Sequence, residues 1–245
     1  MRNASVGKTA IAAILLECER PSGGLVESID PNDDWYAYLV ERLFDERWAD
    51  FAPSWLSIIT FNYDRSLEQL LLTSAVATYG VPIPDAMSRL GKRKIVHVYG
   101  AIGTVGAEAG GHLAYGSVAQ RTDEYDMRPV RMVREAAEAT RVIPEGRDDD
   151  ESLKPVHEAL RQADTICFLS FDQTNVRRLG APNVFLDGSS KPKHIAATTL
   201  GMTRAEARWA YGELFSGTKF SNQTPPEHSL DCPCERLLRE TLVLS

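Results

Sequence analysis

The sequence predicts an α/β fold built on a mostly parallel sheet, and three observations carry that reading. Five short apolar runs read as strands: "SIITF" (57–61), "IVHVY" (95–99), "TICFLS" (165–170), "NVFL" (183–186) and "HIAAT" (194–198). Most are continuous rather than alternating, as expected for strands covered on both faces of a parallel sheet. Segments of helical spacing lie between them, and strands that alternate with helices call for crossover connections.

Taken in order, the elements justify themselves locally. "MRNASVGKTAIAAILLECER" opens the chain with a short apolar block followed by Glu17 and Glu19. It lacks the basic region, apolar run and cleavage site of a secretory leader in that order, so it reads as an amphipathic or buried helix. After the first strand, Leu67, Leu70, Leu71 and Ser74 share one helical face. A second helix is expected over 127–140, and a third over 151–163 with Pro155 in its first turn, where proline is tolerated. Thr203 and Glu206 form a capping box that opens "RAEARWAYGELF". Three stretches read as loops: the glycine-rich "AIGTVGAEAGGH" (101–112), expected to be mobile; the acidic "EGRDDDES" (145–152); and "SGTKFSNQTPPEHS" (216–229), a linker to a last short helix. The expected organisation is an α/β domain over 1–200 and a helical C-terminal segment over 201–245.

Composition narrows the function classes. A chain of 245 residues holds one large domain or two small ones, and 43% hydrophobic with 25% charged residues is ordinary for a soluble globular protein. A net charge of -7 argues against direct nucleic-acid binding, which favours a basic face. No apolar run reaches the roughly 20 residues that span a bilayer, so no membrane association is expected. Four cysteines are too few for a disulfide scaffold, which makes a reducing cytoplasm the expected location. Cys167 lies in an apolar strand and reads as core. Cys232-Pro-Cys234 lacks a second nearby pair of ligands, and no histidine has a neighbour at ligand spacing, so no metal is expected.

Ligands of open parallel sheets bind outside the carboxyl ends of the strands, and small and polar residues gather at those ends here. Thr60, Asn62 and Asp64 follow the first strand. Tyr99, Gly100 and Ala101 close the second. Ser170, Asp172 and Asn175 follow the third, and Asp187 and Gly188 the fourth. Each residue alone fits a turn or a cap, and Asp64 and Asp172 are well placed to cap the helices that follow them. Their recurrence at four neighbouring ends is what suggests a site.

Three of these stretches together resemble a known family. "TFNYDRSLEQLL" is similar to the T-x-N-Y-D-x-x-x-E motif of SIR2-like domains, the prokaryotic relatives of sirtuins. "IVHVYGAIG" resembles their second signature, a strand ending in H-x-H-G or H-x-Y-G. "ADTICFLSFDQTNVRRLG" resembles the third, an apolar strand followed by a small residue, an aromatic and an asparagine opening a short helix. Order and spacing agree over roughly 57–187, with a weaker echo in "VGKTAIAAILLECE". The resemblance implies a Rossmann-like, sirtuin-type sheet with helices on both faces, and NAD as ligand or substrate. It implies hydrolysis of NAD, as in bacterial anti-phage defence, in preference to deacylation, whose four-cysteine zinc module is missing. An oligomer of identical chains, or a partner defence protein such as an ATPase, would go with that role. By resemblance, Asn62 orients the ribose and the attacking water, and Asp64 contacts the nicotinamide side or the ribose, or simply caps its helix. His97 and Tyr99 are the candidates for the base, and Thr60, Gly100, Ser170 and Asn175 line the cofactor.

Two departures bear on these expectations. Where sirtuins and several NAD hydrolases place a histidine before the glycine, this chain has Tyr99, whose ordinary pKa of about 10 makes it a poor base at neutral pH. His97, two residues earlier, would share a strand face with Tyr99 at about 6.6 Å along the chain, either as a base or as a core histidine held by hydrogen bonds. The second departure is the family's glycine-rich G-A-G-x-S loop, expected on the central first strand to cradle the diphosphate. It is not recognisable. The chain opens in what resembles a helix downstream of that loop, so the central strand is expected to be missing, through truncation or degeneration. A catalytically inactive module that senses a nucleotide or serves in assembly is the alternative, and an unrelated α/β protein whose Asn and Asp are only caps is a third. Ser5-Val6-Gly7-Lys8-Thr9 mimics the end of a P-loop but lacks the leading glycine and strand. Arg177 and Arg178, on the short helix after the third strand, read as a solvated face.

Overall fold

The computed structural model describes residues 2–19, 34–45, 47–50, 56–92, 94–105, 115–116, 128–141, 153–170, 175, 179, 194–214 and 229–241. They form a mixed α/β protein with short parallel strands. The chain divides into two compact units, Met1–Ile29 with Leu43–Arg147, and Asp30–Arg42 with Asp148–Ser245.

The first unit contains α1 (Arg2–Cys18), β1 (Ser57–Thr60), α3 (Ser66–Tyr79), α4 (Ile83–Leu90), β2 (Lys94–His97) and α5 (Arg128–Ala139). α2 (Trp35–Leu43) runs out of the second unit into the first. β1 and β2 pair in parallel with Ser57 opposite Lys94 and Thr60 opposite His97. A parallel pair needs a crossover, and α3 and α4 supply it. α1 lies against α5 around Ala12, Leu16, Ile102, Ala136 and Ala137, with Tyr63, Met132 and Val133 packed alongside. α3 buries Leu67, Leu71, Leu72 and Ala75, a face slightly rotated from the one expected, and ends at Gly80 in the left-handed region. The P-loop-like residues lie inside α1, where the Thr9 hydroxyl donates back to the Ser5 carbonyl at 2.9 Å.

The second unit contains α6 (Lys154–Gln162), β3 (Thr165–Phe168), β4 (His194–Thr198), α7 (Arg204–Leu214), β5 (Ser229–Leu230) and α8 (Cys234–Thr241). Its three strands pair in parallel in the order β3-β4-β5. β4, paired on both sides, is buried from Ile195 to Thr198, whereas β1 and β2 are mostly half-buried. Ala196, Cys232 and Leu237 form the core under β4, with Cys167, Leu169 and Leu230 against it. Burial, with Cys234 nearby, pushes the Cys167 thiol up to about 12. It therefore carries no thiolate at neutral pH and behaves as an apolar core residue. Pro155 sits in the first turn of α6. The capping box is formed at α7: the Glu206 carboxylate accepts the Thr203 N–H at 2.7 Å, and Thr203 Oγ1 accepts the Glu206 N–H at 3.3 Å.

Three differences from the sequence reading have physical causes. β2 ends at His97, so Val98 and Tyr99 form a turn although their side chains are as apolar as a strand's. The turn closes with the Gly100 N–H donating to the His97 carbonyl at 3.1 Å. His97 and Tyr99 consequently share no strand face. β5 begins in the stretch read as a linker, because two residues are too few to show a period. Among the described residues the strands fall into a two-stranded and a three-stranded ladder instead of one sheet. The expected strand 183–186, the acidic run 145–152, most of the glycine-rich loop, and Asp172, Arg177, Arg178, Asp187 and Gly188 lie outside the described residues.

Candidate functional site

The first unit brings Thr60, Asn62, Asp64 and His97 together at the carboxyl ends of β1 and β2, and adds Glu68. Thr60 is the last residue of β1, and its carbonyl extends the ladder one step by accepting the Val98 N–H at 2.9 Å. Its hydroxyl folds forward and accepts the Asn62 N–H at 3.1 Å, a short turn that lifts the chain out of the strand. Two residues on, Asp64 Oδ1 accepts the Ser66 N–H at 3.1 Å. That bond satisfies one of the four amides left open at the start of α3. Asp64 is not the cap residue expected of it: it closes a two-residue turn ahead of the helix, and the flanking residue is Arg65, which makes no side-chain cap bond.

Asn62 is held by its backbone and left open at its side chain. Its N–H goes to Thr60 and its carbonyl lies 2.8 Å from His97 Nδ1. The residue is exposed, and its side-chain amide makes no hydrogen bond among the described residues.

His97 is engaged on both sides of the ring. Nδ1 meets the Asn62 carbonyl, and Nε2 lies 2.6 Å from Glu68 Oε1 on the first turn of α3. Its side chain is 10% exposed and that of Glu68 is 25% exposed. Burial by itself depresses the imidazole pKa. The Glu68 hydrogen bond, the Asn62 carbonyl and the charges of Glu68 and Asp64 outweigh it, and the net direction is upward from 6.5.

Tyr99 and Gly100 follow in the turn after β2. Tyr99 is buried, its ring 5.7 Å from Phe61 and 6.2 Å from Tyr63. The Tyr99 carbonyl accepts the Arg141 N–H at 2.8 Å, and Tyr63 donates its hydroxyl to the Arg141 carbonyl at 2.7 Å. Tyr99 is therefore a packing residue that ties the turn to the end of α5. Ser170 and Asn175 belong to the second unit, where Ser170 is exposed two residues beyond β3 and Asn175 is half-buried.

The most buried charges among the described residues were not among the expected site residues. Arg65 and Glu19 are 1% and 0% exposed. The guanidinium forks onto the carboxylate, Nε to Oε1 at 2.9 Å and Nη2 to Oε2 at 2.6 Å, and Nη1 donates to the Thr104 carbonyl at 2.8 Å. The Tyr115 ring lies 5.7 Å from the guanidinium carbon. One side chain thereby joins the residue after α1, the start of α3 and the segment after β2.

Chemically, the arrangement offers one open amide at a strand end and a proton-sharing His–Glu pair behind it. Comparison with known proteins adds no relative: no family profile, curated protein or solved structure matches the chain.

Proposed function

We propose that the first unit is a SIR2-like nucleotide-binding module that takes NAD and hydrolyses the bond between nicotinamide and ribose. The Asn62 amide is the observation that carries this reading. It stands exposed at the carboxyl end of a parallel strand, where open α/β sheets bind their ligands, and its backbone is fixed on both sides while its side chain is unengaged. An amide both donates and accepts. It suits a ribose hydroxyl and a water at the same time, which is what departure of nicotinamide from an oxocarbenium-like sugar requires. Water adds at the anomeric carbon, nicotinamide leaves with the bonding pair, and a proton is released. Among the described residues Asn62 fits the ribose end of NAD. The resemblance assigns the diphosphate to a glycine-rich loop that this sequence does not show. A role in anti-phage defence by NAD depletion, and association with further copies or an ATPase partner, are supported by the resemblance alone.

A second reading is a nucleotide-sensing or assembly subunit without turnover. It is favoured by the engagement of both His97 ring nitrogens and the burial of Tyr99, which occupy both candidate bases. The full chain incubated with NAD separates the two, with nicotinamide release and calorimetric binding measured for the wild type, Asn62→Ala, His97→Ala and Tyr99→Phe. The expected result is release that falls by about 10²-fold in Asn62→Ala, the size of effect seen when one transition-state hydrogen bond is removed, with the fold intact by circular dichroism. Binding without release establishes the second reading. Neither binding nor release ends both.

A further inference from the structure

We propose that Glu68 is a positioning residue, which acts through the ring of His97 to fix the Asn62 peptide and so aim its open amide, and that His97 is a strut in this arrangement and not a base. The role of the amide in turnover rests on the NAD reading above. The pairing rests on geometry alone.

The tautomer follows from the partners. A peptide carbonyl only accepts, so the His97 Nδ1, 2.8 Å from the Asn62 carbonyl, carries a hydrogen and donates it. Nε2 then shares one proton with Glu68 Oε1 at 2.6 Å, either as imidazolium against carboxylate or as imidazole against carboxylic acid. In both forms Nε2 is committed to Glu68, as donor in the imidazolium and as acceptor in the neutral ring, and is closed to a substrate hydroxyl. Glu68 is equally committed. Its second oxygen is buried and has no hydrogen-bond partner among the described residues, so His97 is what holds this carboxyl in place. Glu68 stands in the first turn of α3 and His97 ends β2. The chain from Glu68 through His97 to Asn62 therefore ties helix, second strand and first-strand turn into one piece. A misplacement of about 1 Å at a reacting group can cost about 10²-fold in rate, which is the scale on which such a tie matters.

The charged groups that act on His97 are Glu68 from α3 and Asp64 from the β1–α3 turn, both acidic. They favour the imidazolium. As pH rises through the raised folded pKa, the Nε2 proton is lost, and a lone pair then faces the Glu68 carboxylate. The tie opens on that side, while the Nδ1 hydrogen remains.

Nuclear magnetic resonance of the full chain tests this directly. The ring nitrogens of His97 and the backbone and side-chain amides of Asn62 are followed against pH in the wild type, Glu68→Gln and Glu68→Ala. In the wild type the Asn62 signals are expected to move at the His97 midpoint. Glu68→Gln is expected to lower that midpoint and uncouple the Asn62 signals from it, because the glutamine amide accepts from the protonated ring and donates to the neutral one. Glu68→Ala is expected to lower the midpoint, disperse the Asn62 signals and reduce nicotinamide release by about 10²-fold. A His97 midpoint unchanged in both variants, or Asn62 signals indifferent to His97, overturns the proposal. If the midpoint shifts and Asn62 follows but no nicotinamide appears, the pairing stands and the hydrolase reading falls. If Asn62→Ala abolishes release while Glu68→Gln leaves the pH profile of release untouched, the hydrolase stands and the positioning role falls.

Discussion

Arg65→Ala is expected to lower the stability of the protein by about 3–5 kcal/mol, the usual cost of removing one partner from a buried ion pair. The structure gives the reason. Glu19 is fully buried and its two carboxylate oxygens receive two guanidinium bonds from Arg65. Without Arg65 the carboxylate is left uncompensated in a region of low dielectric, and the Thr104 carbonyl loses its donor as well. Glu19→Ala should cost a similar amount for the mirror-image reason. Set against a typical domain stability of about 5–15 kcal/mol, either change removes a large share of the total.

The double variant Glu19→Leu/Arg65→Met is the more telling measurement. Replacing a buried pair by apolar residues of similar volume is often neutral, so the double variant is expected to be more stable than either alanine variant. Urea unfolding of wild type, both alanine variants, the double alanine and the apolar pair completes the comparison. Single losses below about 1 kcal/mol, or singles that simply add, would show that the fork is ornamental. Arg65→Lys keeps the charge but not the planar fork and is expected to fall between wild type and alanine. It remains measurable if the alanine variants do not fold.

The fork also shows where sequence reading stops. Arg65 stands between Asp64 and an apolar helix, where a charge reads as solvated. Its partner is 46 residues away, beyond any local spacing rule. The pairing of His97 with Glu68 spans 29 residues and is hidden for the same reason. By contrast, the features governed by near neighbours were legible. The Thr203–Glu206 box, Pro155 in a first turn, and the starts of β1, β3 and β4 all follow from residues within a few positions of one another. The end of β2 was misread because Val98 and Tyr99 are apolar for a reason other than strand formation: a buried turn needs apolar side chains too. Asn62, singled out by its place at a strand end, is exposed. Glu68 closes the T-x-N-Y-D-x-x-x-E stretch and His97 was a candidate base or a hydrogen-bonded core histidine, but their pairing was not legible.

Gly100→Ala is expected to be more damaging than Gly80→Ala, although both glycines lie in the left-handed region, at φ 81° and 63°. Any L-residue there pays about 1–2 kcal/mol of backbone strain, and Gly80 has open space for a methyl group, so its cost should end there. At Gly100 a Cβ would stand 2.3 Å from the Ala139 carbonyl oxygen. That obstacle is backbone, pinned by the neighbouring Arg141–Tyr99 and Tyr63–Arg141 hydrogen bonds, and it cannot swing aside like a side chain. Overpacking of this kind adds about 1–3 kcal/mol, and the difference between the two variants isolates it. Equal losses would mean that the turn and the end of α5 can separate freely. The comparison also bears on the site. The resemblance implies that Gly100 lines a cofactor, yet the contact with Ala139 requires glycine without any ligand. If Gly100→Ala weakens NAD binding only in proportion to lost stability, the glycine serves the turn. If binding weakens while denaturation curves for Gly80→Ala and Gly100→Ala coincide, the absent side chain is making room for the nucleotide.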